Sequence, residues 1–86
     1  MTLRDILNKI IWDPQEQRSH FELVYIHRGV PMDKKTISCS LIEKVGSSRF
    51  TYQSAEEGEV FIPFHRILEI RNVKTGQLLW MKIRQR

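Results

Sequence analysis

One stretch of this chain repeats its apolar residues at helical spacing, and a proline just beyond it forbids continuation. Leu3, Ile6, Leu7, Ile10 and Ile11 fall on one helix face, and Thr2 and Asp5 stand ahead of them at roughly capping-box spacing. Trp12-Asp13-Pro14 closes the segment, because a residue preceding proline is pushed out of the α region. The spacing therefore predicts a helix over Leu3 to Ile11 with an apolar face to cover, and Trp12 at its end reads as a core anchor. Beyond Pro14 most of the chain has strand character.

Gln15 to Ser19 reads as a polar connection. His20 to Arg28 is rich in aromatic and β-branched residues and is closed by Gly29 and Pro31, which predicts a strand. Alternation sets Phe21, Leu23, Tyr25 and His27 on one face and Glu22, Val24, Ile26 and Arg28 on the other. Both faces are partly apolar, as expected of a central strand covered on both sides. Thr36-Ile37-Ser38 suggests a short strand. Ser40 to Val45 suggests one or two helical turns, capped by Ser40 and ended by Gly46. Phe50 to Gln53 reads as a further strand, followed by a turn at Glu56-Glu57-Gly58. Glu59 to Val73 is extended, with an edge, bulge or bend at Pro63. Lys74-Thr75-Gly76-Gln77 then joins Leu68–Val73 to Leu78–Arg84 as a hairpin. In its last strand Leu79, Met81 and Ile83 share one face, and Leu78, Trp80, Lys82 and Arg84 share the other. The expected architecture is α+β: a small single domain of 86 residues, its N-terminal helix packed on a mainly antiparallel sheet or partly closed barrel that ends in a C-terminal β-hairpin.

Composition narrows the functional classes. A single cysteine, Cys39, excludes an internal disulfide framework and any multi-cysteine metal site. The three histidines, His20, His27 and His65, have no metal-ligand spacing, so neither a metal nor a cofactor is expected. With no secretory leader pattern and no apolar run of membrane-spanning length, the expected setting is cytoplasmic, without a membrane partner. The net charge of +4 lies wholly in the second half. From Met1 to Glu43 six basic residues balance six acidic ones, whereas from Lys44 to Arg86 there are eight basic and four acidic. Within the last 21 residues, Arg66, Arg71, Lys74, Lys82, Arg84 and Arg86 face only Glu69, a balance that attracts polyanions.

Two His-Arg dipeptides stand out against this background. Tyr25-x-His27-Arg28-Gly29 ends an apolar strand, and Ile62-Pro63-x-His65-Arg66-Ile67 begins another. Arginine offers a rigid fork of donors matched to phosphate oxygens, and histidine donates to an oxyanion or exchanges a proton near neutral pH. Gly29 serves either a close approach of ligand or a turn. Each residue also has a plain structural reading. His27 continues the face of Phe21, Leu23 and Tyr25, while Arg28 and Arg66 alternate with apolar residues as partly buried arginines satisfied by carboxylates or carbonyls would. Trp80 with Lys82 and Arg84 interleaves an aromatic with cations, as a base-stacking strand does, yet such faces are more often solvated and charge-paired. No Gly-x-Ser-x-Gly elbow and no glycine-rich phosphate loop is present.

With these residues laid out, the chain resembles the largely archaeal RNA cyclic group end recognition domain family. The resemblance runs nearly end to end through Leu7-Asn8, Trp12-Asp13, Tyr25-x-His27-Arg28-Gly29, Ile62-Pro63-Phe64-His65-Arg66-Ile67 and Trp80. It implies a non-catalytic domain that binds RNA ends such as a 2',3'-cyclic phosphate, with any RNA-end-processing enzyme acting in trans. On that footing Arg28 and Arg66 would pair with terminal phosphate oxygens, and His27 and His65 would donate to ring or ester oxygens. Tyr25 or Trp80 would pack on sugar or base, with Lys82 and Arg84 drawing in the upstream backbone. Two rivals are a phosphodiesterase using His27 and His65 as acid and base, and an interaction module with buried His-Arg pairs. Strand parity sets one constraint on all of these. His27 and Arg28 point to opposite faces, as do His65 and Arg66, so all four meet at one ligand only where strand ends, Gly29 or Pro63 break the alternation.

Overall fold

The computed structural model describes residues 2–12 and 18–82. Helix α1 spans Leu3–Trp12. Its first turn is capped reciprocally: the Asp5 N–H donates to Thr2 Oγ1 and the Thr2 N–H to Asp5 Oδ2, both at 3.2 Å. The Thr2 N–H bond is the main reason the Asp5 carboxyl lies below the usual carboxylate range. Leu7 and Ile10 are buried, and Leu3, Ile6 and Ile11 pack against the same core. Trp12 corrects the expectation of a core anchor, since it is 78% exposed. At 3.6 residues per turn it lies two positions past Ile10, on the far side of the helix from the apolar stripe.

Among the described residues seven strands follow, every pairing antiparallel. They are β1 (Phe21–Ile26), β2 (Lys34–Ser38), β3 (Ile42–Val45), β4 (Arg49–Ser54), β5 (Gly58–Pro63), β6 (Ile67–Asn72) and β7 (Leu78–Met81). They form two separate open sheets, ordered β2-β1-β6-β7 and β3-β4-β5. The α+β class holds, and the partly closed barrel does not. Two short 3-10 turns carry the chain between sheets: Cys39–Leu41 leaves the first for the second, and Phe64–Arg66 brings it back.

The helical turns expected over Ser40 to Val45 are replaced by the first of these turns and by β3. Its cap is Ser38, whose Oγ accepts from the Ser40 N–H at 3.2 Å. An isolated turn or two of helix is marginal, whereas the extended form pairs Ile42 with Tyr52 and Val45 with Phe50. In the C-terminal hairpin, Asn72 Oδ1 accepts from the N–H groups of Lys74 and Thr75, and Gly76 takes the left-handed φ of 79° that closes the turn. A register shift pairs Ile70 with Trp80 but Arg71 with Leu78. The simple alternation read for this strand is therefore broken. Leu79 and Trp80 both pack on the core, while Leu78 and Met81 are exposed. Ile83 and Arg84 lie outside the described residues.

The core sits where α1 and the inner faces of the two sheets meet. Leu7, Leu23, Ile67 and Ile70 meet Ile42, Phe50 and Tyr52, with Cys39 fully buried in the connecting turn. Burial pushes the Cys39 thiol up to about 12. The Tyr25 and Tyr52 hydroxyls share a buried hydrogen bond of 2.7 Å, which ties the first sheet to the second. Strand β1 is interior to its sheet, and Val24 on its reverse face is also buried.

Candidate functional site

Strand β1 ends at Ile26, one residue before the first His-Arg pair. The His27 N–H donates to the Asp33 carbonyl at 2.9 Å, closing a tight loop that Gly29 negotiates with φ 94°. A Cβ at Gly29 would meet nothing within 4 Å, so backbone conformation is what this position demands. Met32 and Asp33 in the same loop also hold positive φ, at 63° and 54°. Two consecutive non-glycine residues there store strain that the surrounding bonds must offset. Asp33 Oδ1 accepts from the Gly29 N–H at 3.4 Å, which directs its carboxylate into the loop.

The second His-Arg pair lies on the 3-10 turn Phe64–Arg66 ahead of β6. Pro63, at φ −64°, starts that turn, and the Phe64 N–H is held by the Ser48 carbonyl at 2.9 Å. Neither pair therefore lies in a regular strand, and the parity that would send His and Arg to opposite faces does not apply to either.

Strand pairing then brings the two segments to the same end of one sheet. Tyr25 is opposite Ile67 in the antiparallel β1–β6 ladder, so the chain leaving β1 through His27-Arg28 runs beside the chain entering β6 through His65-Arg66. A bulge adjusts this approach: Val24 pairs with Glu69 and Tyr25 with Ile67, leaving Leu68 as the extra residue. Lys82, just past β7, reaches the same end, its N–H on the Leu68 carbonyl and its ammonium on the His65 carbonyl. Lys34, opposite Ile26 at the start of β2, adds a further exposed cation that sequence reasoning missed. Only the register of β1 against β2 reveals it.

The side chains differ in what they offer. Arg28, His65, Arg66 and Lys82 are exposed, and among the described residues neither arginine forms an ion pair. That is unlike the partly buried, partner-satisfied arginines of the structural reading. Arg71 is the arginine that takes that role, bonding Glu69 at 3.0 Å and Glu22 at 3.3 Å. His27 is half-buried, its ring stacked on Tyr25 at 6.0 Å between centroids, and its Nδ1 is buried without a hydrogen-bond partner among the described residues. Tyr25 is 2% exposed and its hydroxyl is bonded to Tyr52, so it is not placed to pack on a sugar or base. Its burial, and the Tyr52 bond, push its pKa well above the ordinary phenol value. Trp80 packs half-buried against the core, and Arg84 lies outside the described residues. Among the described residues no three potential metal ligands cluster, and no helix is long and apolar enough to cross a membrane.

Residues 1–82 match the MJ1316 RNA cyclic group end recognition domain. This chain is a member of that family. Relatives include the UPF0248 protein MJ1316 of Methanocaldococcus jannaschii, 45% identical over 80 residues that cover 93% of this chain and 92% of the relative. A UPF0248 protein of Methanococcus vannielii is 38% identical over 81 residues, covering 94% and 92%. The family extends to the UPF0248 protein PH1212.1 of Pyrococcus horikoshii, 37% identical over 79 residues, covering 92% and 87%. No solved structure matches the chain.

Proposed function

We propose that this chain binds the terminal phosphate of an RNA, a 2',3'-cyclic phosphate in the first instance, without cleaving it. The observation that carries this reading is the β1–β6 register, which places His27-Arg28 beside His65-Arg66 at one sheet end with Lys34 and Lys82. The family description points the same way. In this arrangement Arg28 and Arg66 supply charge-assisted donors to the non-bridging phosphate oxygens, and His65 donates to a ring or ester oxygen. His27, braced by Tyr25, contributes from the floor of the site. Lys34 and Lys82 hold the potential positive, and Lys82 also fixes the turn that carries His65. An enzyme that forms or opens such ends would join in trans.

The test is a titration with short RNAs identical except for a terminal cyclic phosphate, a 3'-phosphate or a hydroxyl, repeated across salt concentrations. A cyclic end should bind roughly tenfold or more tightly than a hydroxyl end, since hydrogen bonds to charged groups contribute about 1.5–3 kcal/mol each. Equal, wholly salt-driven binding to all three would overturn end recognition. Conversion of the cyclic phosphate during the titration, abolished by His27→Ala or His65→Ala, would make the protein a phosphodiesterase instead.

A further inference from the structure

Away from the sheet end, a groove of about 390 Å³ opens between α1 and β3. Asn8, Ile11 and Trp12 form its helical wall, and the backbone and side chains from Glu43 to Gly46 form the other. Trp12 is the unusual member, a large aromatic 78% exposed at the lip of this concavity. Ile11 supplies an apolar floor, Asn8 an amide with both donors and an acceptor, and Lys44 and Glu43 one charge of each sign. A phosphate would meet Glu43 unfavourably. A flat heterocycle with donors and acceptors on its rim would not.

The β3 wall of the groove leads through backbone hydrogen bonds toward the turn that bears the second His-Arg pair. Its Val45-Gly46 wall runs into the β3–β4 turn, where the Gly46 N–H bonds the Arg49 carbonyl at 2.8 Å. The Ser48 carbonyl of that turn holds the Phe64 N–H, and His65-Arg66 follow directly. One hydrogen-bonded strip thus links the groove to the turn that bears the second pair.

We propose that this groove takes a nucleobase of the same RNA, upstream of its terminal phosphate, stacked on Trp12 and bonded at its edge by Asn8. The proposal rests on the end-binding reading and adds a second point of contact to it. Stacking on an exposed aromatic accepts any base, so the groove measures RNA length more than sequence. Glu43, as an acceptor, favours the bases carrying an exocyclic amino group, cytosine, adenine and guanine, over uracil.

The experiment compares a nucleoside 2',3'-cyclic phosphate with oligoribonucleotides of increasing length bearing the same end, each beside its hydroxyl-ended counterpart, on the full chain and on Trp12→Ala, Trp12→Phe and Arg66→Ala. In the parent protein, affinity should step up by roughly tenfold once the RNA is long enough to reach the groove. Trp12→Ala should remove that step and leave the mononucleotide unchanged, Trp12→Phe should restore most of it, and Arg66→Ala should weaken every ligand. Exposure of Trp12 means the substitution perturbs folding little, which a thermal melt verifies. A length step that survives Trp12→Ala, as expected if the groove takes a protein side chain, overturns the base subsite while end recognition stands. A Trp12-dependent step with no preference among RNA ends overturns end recognition alone, and absence of RNA binding overturns both.

Discussion

Replacing Tyr25 by phenylalanine separates support from contact at this site. The Tyr25 side chain is buried, its ring lies against His27, and its hydroxyl meets that of Tyr52 at 2.7 Å across the two sheets. Tyr25→Phe removes one partner of that bond and strands the Tyr52 hydroxyl in the core. The cost should be about 1–3 kcal/mol, the penalty of an unsatisfied buried polar group. For a domain of this size each 1 kcal/mol lowers the melting temperature by roughly 4–8 °C. Removing both hydroxyls leaves nothing unsatisfied, so Tyr25→Phe/Tyr52→Phe should be no less stable than either single variant. Urea unfolding of the four proteins measures the cycle. In parallel, affinity for cyclic-phosphate RNA should stay within about twofold in Tyr25→Phe, because the stack beneath His27 survives and the lost hydroxyl faces the core. Two results refute the reasoning: additive destabilisation in the double variant, or a tenfold loss of RNA affinity with stability unchanged.

Three further outcomes are expected. Arg28→Ala and Arg66→Ala should each weaken cyclic-phosphate RNA binding by roughly tenfold or more in a fluorescence titration while leaving the melting temperature nearly unchanged, since both side chains are exposed; Arg71→Ala, removing a cation already paired with Glu22 and Glu69, should leave affinity alone. Lys34→Ala should lower the slope of log affinity against log salt by about 0.7 if that lysine neutralises one phosphate of a single strand. The Cys39 thiol, raised from an ordinary 9.0 to about 12, should resist alkylation at pH 8 until the protein is unfolded; the folded chain keeps this proton longer than the unfolded one, so this contribution to stability is complete below about pH 9 and is lost as pH rises toward 12, which urea midpoints across that range will show.

Much of the local structure can be read from neighbouring residues alone. Thr2 and Asp5 specify the start of α1, and the apolar stripe through Leu7 and Ile10 specifies its buried side, because both act within a turn or two of chain. Asn72 and Gly76 likewise write the last hairpin, in the side-chain bonds and positive φ that its turn requires. Trp12 went astray for the opposite reason. Hydrophobicity suggested burial, yet its angular position faces it away from the stripe. Ser40 to Val45 misled similarly, because a weak helical pattern competes poorly with strand partners that lie remote in sequence at Phe50 and Tyr52.

The two His-Arg pairs show the same division. Their residue types, their separation and the breakers beside them, Gly29 and Pro63, were legible in the sequence, as was the conflict that strand parity posed for a shared site. Whether the pairs meet is a question of register, and register depends on which strands pair and where a bulge falls. The β1–β6 ladder, its bulge at Leu68 and the paired ends at Lys34 and Lys82 are long-range facts. They bring distant segments together through packing of the whole core, and the same packing buried Tyr25 and half-buried Trp80. Sequence determined which chemical groups this protein carries and where its chain turns. Tertiary structure alone decided which of those groups share one end of one sheet, because backbone pairing and side-chain burial are settled between strands and not along them.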